Sequence, residues 1–150
     1  MKKSPVKIRD ILNVVKQIKE EADNKLNIFI MGENGTGKKT LKSYFEQERK
    51  NSGILKILDL LNDYKFDKES DFVLFLHDAN KDLNENVVLF LNRIAKNKIR
   101  FMVVLNKIDI CSNLEDRLKY VLKSLNINPN EIISVSLSGG INVEDKLIPE

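Results

Sequence analysis

The chain has 150 residues, 42% of them hydrophobic and 31% charged, the balance of an ordinary soluble domain long enough to bury a core. Its 25 basic and 22 acidic residues leave a net charge of +3, too even to announce a nucleic acid or an anionic membrane as partner. The single cysteine, Cys111, excludes an internal disulfide, and no Cys/His cluster offers a zinc pattern.

Met1-Lys2-Lys3 is a basic start, but Pro5, Lys7, Arg9 and Asp10 occupy the place where a secretory signal needs an apolar stretch. No apolar run approaches the length of a membrane span, so the chain reads as cytoplasmic. Residues 5–23 set Ile8, Ile11, Leu12, Val15, Ile18 and Ala22 at spacings of three and four, the stripe of an amphipathic helix. That stripe is expected to pack on the domain; membrane or partner contact through its Lys-rich opposite face is the alternative. Residues 1–25 thus form an N-terminal helical segment and 26–150 the core of a single domain.

From Leu26 the pattern alternates. Strands are expected over 26–31, 54–60, 72–77, 100–105 and 132–135, and helices over 38–49, 83–96, 114–125 and 143–148. Strands that are apolar throughout, separated by amphipathic helices, predict an α/β domain of three layers, with a mostly parallel sheet of about five strands covered on both faces. Ligands of such sheets bind at the carboxyl ends of the strands.

Two motifs fall at those ends. The first, Gly32-Glu33-Asn34-Gly35-Thr36-Gly37-Lys38-Lys39-Thr40, has the spacing G-x-x-x-x-G-K between a strand and a helix. Its glycines let backbone amides converge on a phosphate, the helix start adds free amides and the positive dipole end, and Lys38 reaches the outer phosphates. The phosphate-binding residues of this reading are Asn34, Gly35, Thr36, Gly37, Lys38, Lys39 and Thr40. The pattern asks for Ser or Thr directly after its lysine, to hold Mg²⁺, and Lys39 stands there. Either Lys39 points away and the metal is held poorly, or its ammonium takes part of the ion's space.

The second motif is Asn106-Lys107-Ile108-Asp109. Guanine presents N1–H and N2–H₂ donors beside O6, and a carboxylate placed edge-on, here Asp109, accepts both. Asn106 suits a bridge from N7 to the loop backbone, and the stem of Lys107 can cover a ring face. A site built around such donors rejects a base that lacks them. The plain alternative is a strand-to-helix turn with Asp109 near a helix start.

On these two motifs, in this order, the chain resembles the small P-loop GTPases of the translation-factor-related class, over roughly residues 26–148. The resemblance implies a P-loop NTPase-like fold, GTP or GDP as ligand, Mg²⁺ as cofactor and a protein partner. It places a further guanine contact at Ser136, Leu137 and Ser138, the amide of Leu137 meeting O6, with Ser138 where the family has lysine. The family's Asp-x-x-Gly maps onto Asp59-Leu60-Leu61-Asn62, making Asp59 the candidate metal ligand and replacing the glycine by Asn62. Only twenty residues separate Lys38 from Asp59, too few for the family's second strand and the loop carrying its metal-binding threonine. That loop is how such proteins switch, and no residue stands out as positioning an attacking water. Two functions remain open: guanine-nucleotide binding with slow or partner-dependent hydrolysis, or a non-catalytic module that keeps the fold for interaction. An ATPase or nucleotide kinase is disfavoured by Asp109. His77, Asp78 and Asp82 read as structural residues at a strand end, a turn and a helix start.

Overall fold

The structure, a computed structural model, describes residues 11, 13, 15–17, 26–48, 55–60, 64–107 and 111–134. In chain order these give β1 (Asn27–Gly32), α1 (Lys38–Glu48), β2 (Leu55–Ile57), β3 (Asp71–Asp78), α2 (Glu85–Lys96), β4 (Arg100–Asn106), α3 (Leu114–Leu125), a 3₁₀ turn (Pro129–Glu131) and β5 (Ile132–Ser134). The expected helix over 143–148 lies outside the described residues, as do Asn62, Asp109, Ser136, Leu137 and Ser138.

The five strands form one parallel sheet in the order β2-β1-β3-β4-β5. From β1 the chain steps to one side to make β2, then crosses to the other side for β3. Strand order therefore reverses at β1, and the crevice at its carboxyl end is where an open α/β sheet receives a ligand.

Side chains alternate across the sheet. Ile28, Ile30, Phe72, Leu74, Leu76, Met102 and Val104 point to one face, where Leu41, Tyr44 and Phe45 of α1 meet them together with Ile11 and Val15 of the N-terminal helical segment. Met31, Val73, Phe75, Val103 and Leu105 point to the other, against Val87, Phe90, Leu91 and Ile94 of α2 and Val121 and Leu125 of α3. Both faces are covered, which is why β3 is buried at every position.

The helix boundaries follow local chemistry. Asn84 caps α2 through its side chain, which accepts from the Asn86 amide at 2.8 Å. Glu85 sits at the positive end of that helix and Arg93 and Lys96 at its negative end. The sequence pattern begins this helix at Leu83, but the Leu83 amide donates to the Tyr120 hydroxyl at 2.8 Å and is held outside it. Asp82 accordingly precedes the cap, pairing with Arg117 at 3.2 Å instead of starting the helix. β2 ends before the pattern over 54–60 does: among the described residues 55–57 pair with β1, and one further bond, Leu58 N to Ile30 O at 3.1 Å, carries the chain to Asp59.

Candidate functional site

β1 delivers Gly32 to the reversal point, and the loop that follows is shaped by backbone that side chains rarely adopt. Gly32 has φ +147°, and a Cβ there would lie 2.6 Å from the Leu76 carbonyl oxygen and 2.9 Å from Thr36 Oγ1. Gly35 and Gly37 also have positive φ, at 76° and 98°. Inside the loop Thr36, which is buried, donates its hydroxyl to Glu33 O at 2.7 Å. The first α1 bond, Leu41 N to Gly37 O at 3.0 Å, fixes the helix start. Lys38 folds back over the loop, its ammonium 2.5 Å from Gly32 O and 3.3 Å from Glu33 O. Free amides, a helix start and an ammonium on one small loop are chemistry suited to a polyanion.

β4 ends two strands away, and the structure joins its loop to the first one. Asn106 is buried and donates through Nδ2 to Thr36 O at 2.8 Å, while its Oδ1 accepts from Lys107 N at 2.7 Å. Lys107 has φ +66°. That unusual backbone is braced from β3. In register Asp78 lies opposite Asn106, and Ala79 N donates to Asn106 O at 2.9 Å. The Lys107 ammonium pairs with Asp78 at 3.4 Å, and Asn80 Nδ2 donates to Lys107 O at 3.2 Å. Burial works to raise the Asp78 pKa, but bonds from the Asn80 amide and side chain and the Lys107 charge outweigh it and hold the carboxyl below its usual range.

These supports were missing from the sequence reading. Asp78-x-Asn80 carries a turn signal, and the Asn80 amide does donate to Asp78 at 2.9 Å. The pairing with Lys107 depends on strand register, which the sequence does not state. Arg117 of α3 was likewise unread. It donates to the carbonyls of Ala79 and Lys81 at 2.9 Å and 2.5 Å, and its guanidinium lies 4.7 Å from the centre of the Tyr120 ring, clamping the turn after β3 onto α3.

His77 is buried at the end of β3. Because Lys81 O can only accept, Nε2 carries the hydrogen of the 2.9 Å bond between them, and buried Nδ1 has no partner among the described residues. Burial pushes its pKa below the ordinary value, against the opposing pull of Lys81 O, Glu33 and Asp78 and with added help from Arg117. Burial therefore favours the uncharged imidazole; Cys111 is a half-buried thiol.

Mg²⁺, which the resemblance implies, would lack the hydroxyl ligand that the motif supplies. Lys39 occupies the hydroxyl position and an ammonium has no lone pair to give. Asp59 stands exposed just beyond β2, and among the described residues no three His, Cys, Asp or Glu side chains gather where a metal would be held. Nor, among the described residues, is any helix long and apolar enough to cross a membrane.

A family model described as the Sigma-54 interaction domain matches residues 4–126. The chain is 35% identical over 80 residues to GTPase Era of Borrelia turicatae (strain 91E135), and 34% identical over 79 residues to GTPase Era of Borrelia hermsii (strain HS1 / DAH). Those matches cover 52% and 51% of this chain but only 27% of each relative's length. Among solved structures, "a probable GTP-binding protein engB" superposes with TM-score 0.55 at 16% identity, covering 79% of this chain and 92% of that one. The translation elongation factor SelB from Methanococcus maripaludis, in its apo form, gives TM-score 0.53 at 18% identity, covering 83% and 32%. At such identities the likeness shows the fold, and the fold is that of a P-loop GTPase-like domain.

Proposed function

We propose that this chain, which belongs to the Sigma-54 interaction domain family and has a small P-loop GTPase-like fold, binds a guanine nucleotide, GTP or GDP. The observation that carries this reading is the 2.8 Å bond from Asn106 to Thr36 O, which ties the loop read as base-recognising onto the loop read as phosphate-binding. One ligand spanning both ends of that bond would present its phosphates to the amides and Lys38 and its base to Lys107 and the sequence-assigned Asp109. The names of the Era relatives, GTPases, support the same ligand class.

Hydrolysis of GTP, slow or dependent on a partner, is the active form of this proposal. A second reading is favoured by the poor metal donor set: the domain holds nucleotide without turning it over and serves as an interaction module. The family description makes a sigma-54-type factor the first protein partner to test for either form.

The deciding experiment titrates purified protein with fluorescent GTP and GDP, competes with ATP, and follows phosphate release. Guanine-selective binding that Lys38→Ala abolishes and Asp109→Asn weakens is expected. Displacement by ATP as effective as by GTP would overturn the guanine assignment. Phosphate release above background separates the active form from the holding module.

A further inference from the structure

The start of α1 carries two lysines in succession, and they are treated differently by the fold. Lys38 is bonded to two carbonyls of its own loop. Lys39 is exposed, and its ammonium makes no hydrogen bond or ion pair with any described residue. Both cations sit at the positive end of the α1 dipole, an unfavourable place for positive charge. α2 and α3 begin with acids, Glu85 in the one and Glu115 and Asp116 in the other, whereas α1 has no acid in its first turn. The charge left uncompensated there is relieved when a polyanion occupies the loop. Thr40, the hydroxyl nearest the motif position, follows one residue late, roughly 100° further round the helix.

We propose that Lys39 takes the role the divalent cation has in the site as the sequence motif describes it: Lys38 and Lys39 together neutralise the nucleotide's outer phosphates, and binding is independent of metal. This rests on the guanine-nucleotide reading above and adds how that site handles charge. The four-carbon stem of a lysine gives its ammonium the reach to turn from solvent to a phosphate beside the helix start, where three donors meet three oxygens. A bound Mg²⁺ and that ammonium would repel each other and compete for the same phosphate oxygens.

The test measures affinity for fluorescent GTP in Mg²⁺ and in EDTA, for the whole chain and for Lys39→Gln, Lys39→Ser and Lys42→Gln, each first checked for folding by circular dichroism. Lys42 is a control for general charge, since it lies further along α1 and pairs with Glu46 at 3.7 Å. The unchanged chain is expected to bind GTP in EDTA at least as tightly as in Mg²⁺. Lys39→Gln should weaken binding in EDTA about tenfold, the loss of a charge-assisted contact, and Lys42→Gln should not. Lys39→Ser, which restores the hydroxyl of the motif, should bind more tightly when Mg²⁺ is added. A loss of about tenfold or more on adding EDTA to the unchanged chain, or Lys39→Gln indistinguishable from it, overturns the proposal while leaving guanine binding intact. Failure to bind in either buffer overturns both.

Discussion

The two loops of the site are built by different means. Between Gly32 and Lys38 the shape comes from neighbours in sequence: three glycines at positive φ, a hydroxyl bonded three residues back, and a lysine folded over its own loop. At Asn106 and Lys107 almost every support arrives from elsewhere. Thr36 lies 70 residues away, and Asp78 and Asn80 belong to the strand end and turn beside it. The first loop is a local solution that a short motif can specify. The second holds only if β1, β3 and β4 stand in register, so its geometry is a property of the sheet.

The sharpest challenge to that contrast is Gly32→Ala. A methyl group 2.6 Å from the Leu76 carbonyl, on backbone that disfavours any side chain, should cost about 3 kcal/mol of stability in urea unfolding. A cost within experimental error would mean that neither the backbone at Gly32 nor its close approach to β3 constrains the loop.

Asn106→Ala attacks the other loop. It strips partners from Thr36 O and the Lys107 amide at a buried position, and should cost about 2 kcal/mol. Hydrogen exchange should quicken in the Gly32–Lys38 loop as well as around Lys107. Exchange confined to residues near 106 would mean that the Asn106–Thr36 bond does not couple the two loops.

Asp78→Asn keeps the shape and removes the charge opposite Lys107, for an expected loss of about 1 kcal/mol at neutral pH. The folded carboxyl titrates below its unfolded value of 3.8, so its contribution is present above that pH and is lost as pH falls through the lower, folded value. The melting curves of the two proteins should therefore converge in acid. A gap that persists there would assign the loss to geometry and not to charge.

The smallest effect concerns His77. Its folded pKa lies below 6.5, so the unfolded chain takes up the proton more readily and stability declines as pH falls below that value. His77→Gln should flatten that decline in thermal melts across pH 5 to 7, roughly the range in which histidine titrates. An unchanged slope would place the dependence on another group.

Much of the architecture was legible because hydrophobic period reports coverage. The unbroken apolar runs at 72–76 and 101–105 announced strands buried on both faces, and the stripe over 114–125 matched α3 at both ends. Errors gathered where a single long-range bond sets a boundary, as when the Tyr120 hydroxyl takes the Leu83 amide out of α2. At β2, an edge strand with one neighbour, pairing ends before the apolar pattern does.

The sequence by itself determined the loop that needs glycine, the order of the two motifs, and the substitution of Lys39 for a hydroxyl, because each depends on residue identity and short spacing. Only the tertiary structure decided that Asn106 bonds to Thr36, that Asp78 holds Lys107, and that the His77 imidazole is buried against Lys81 O. Those facts depend on which strands lie side by side and in what register, and a linear pattern of polar and apolar residues carries no information about distances between its distant parts.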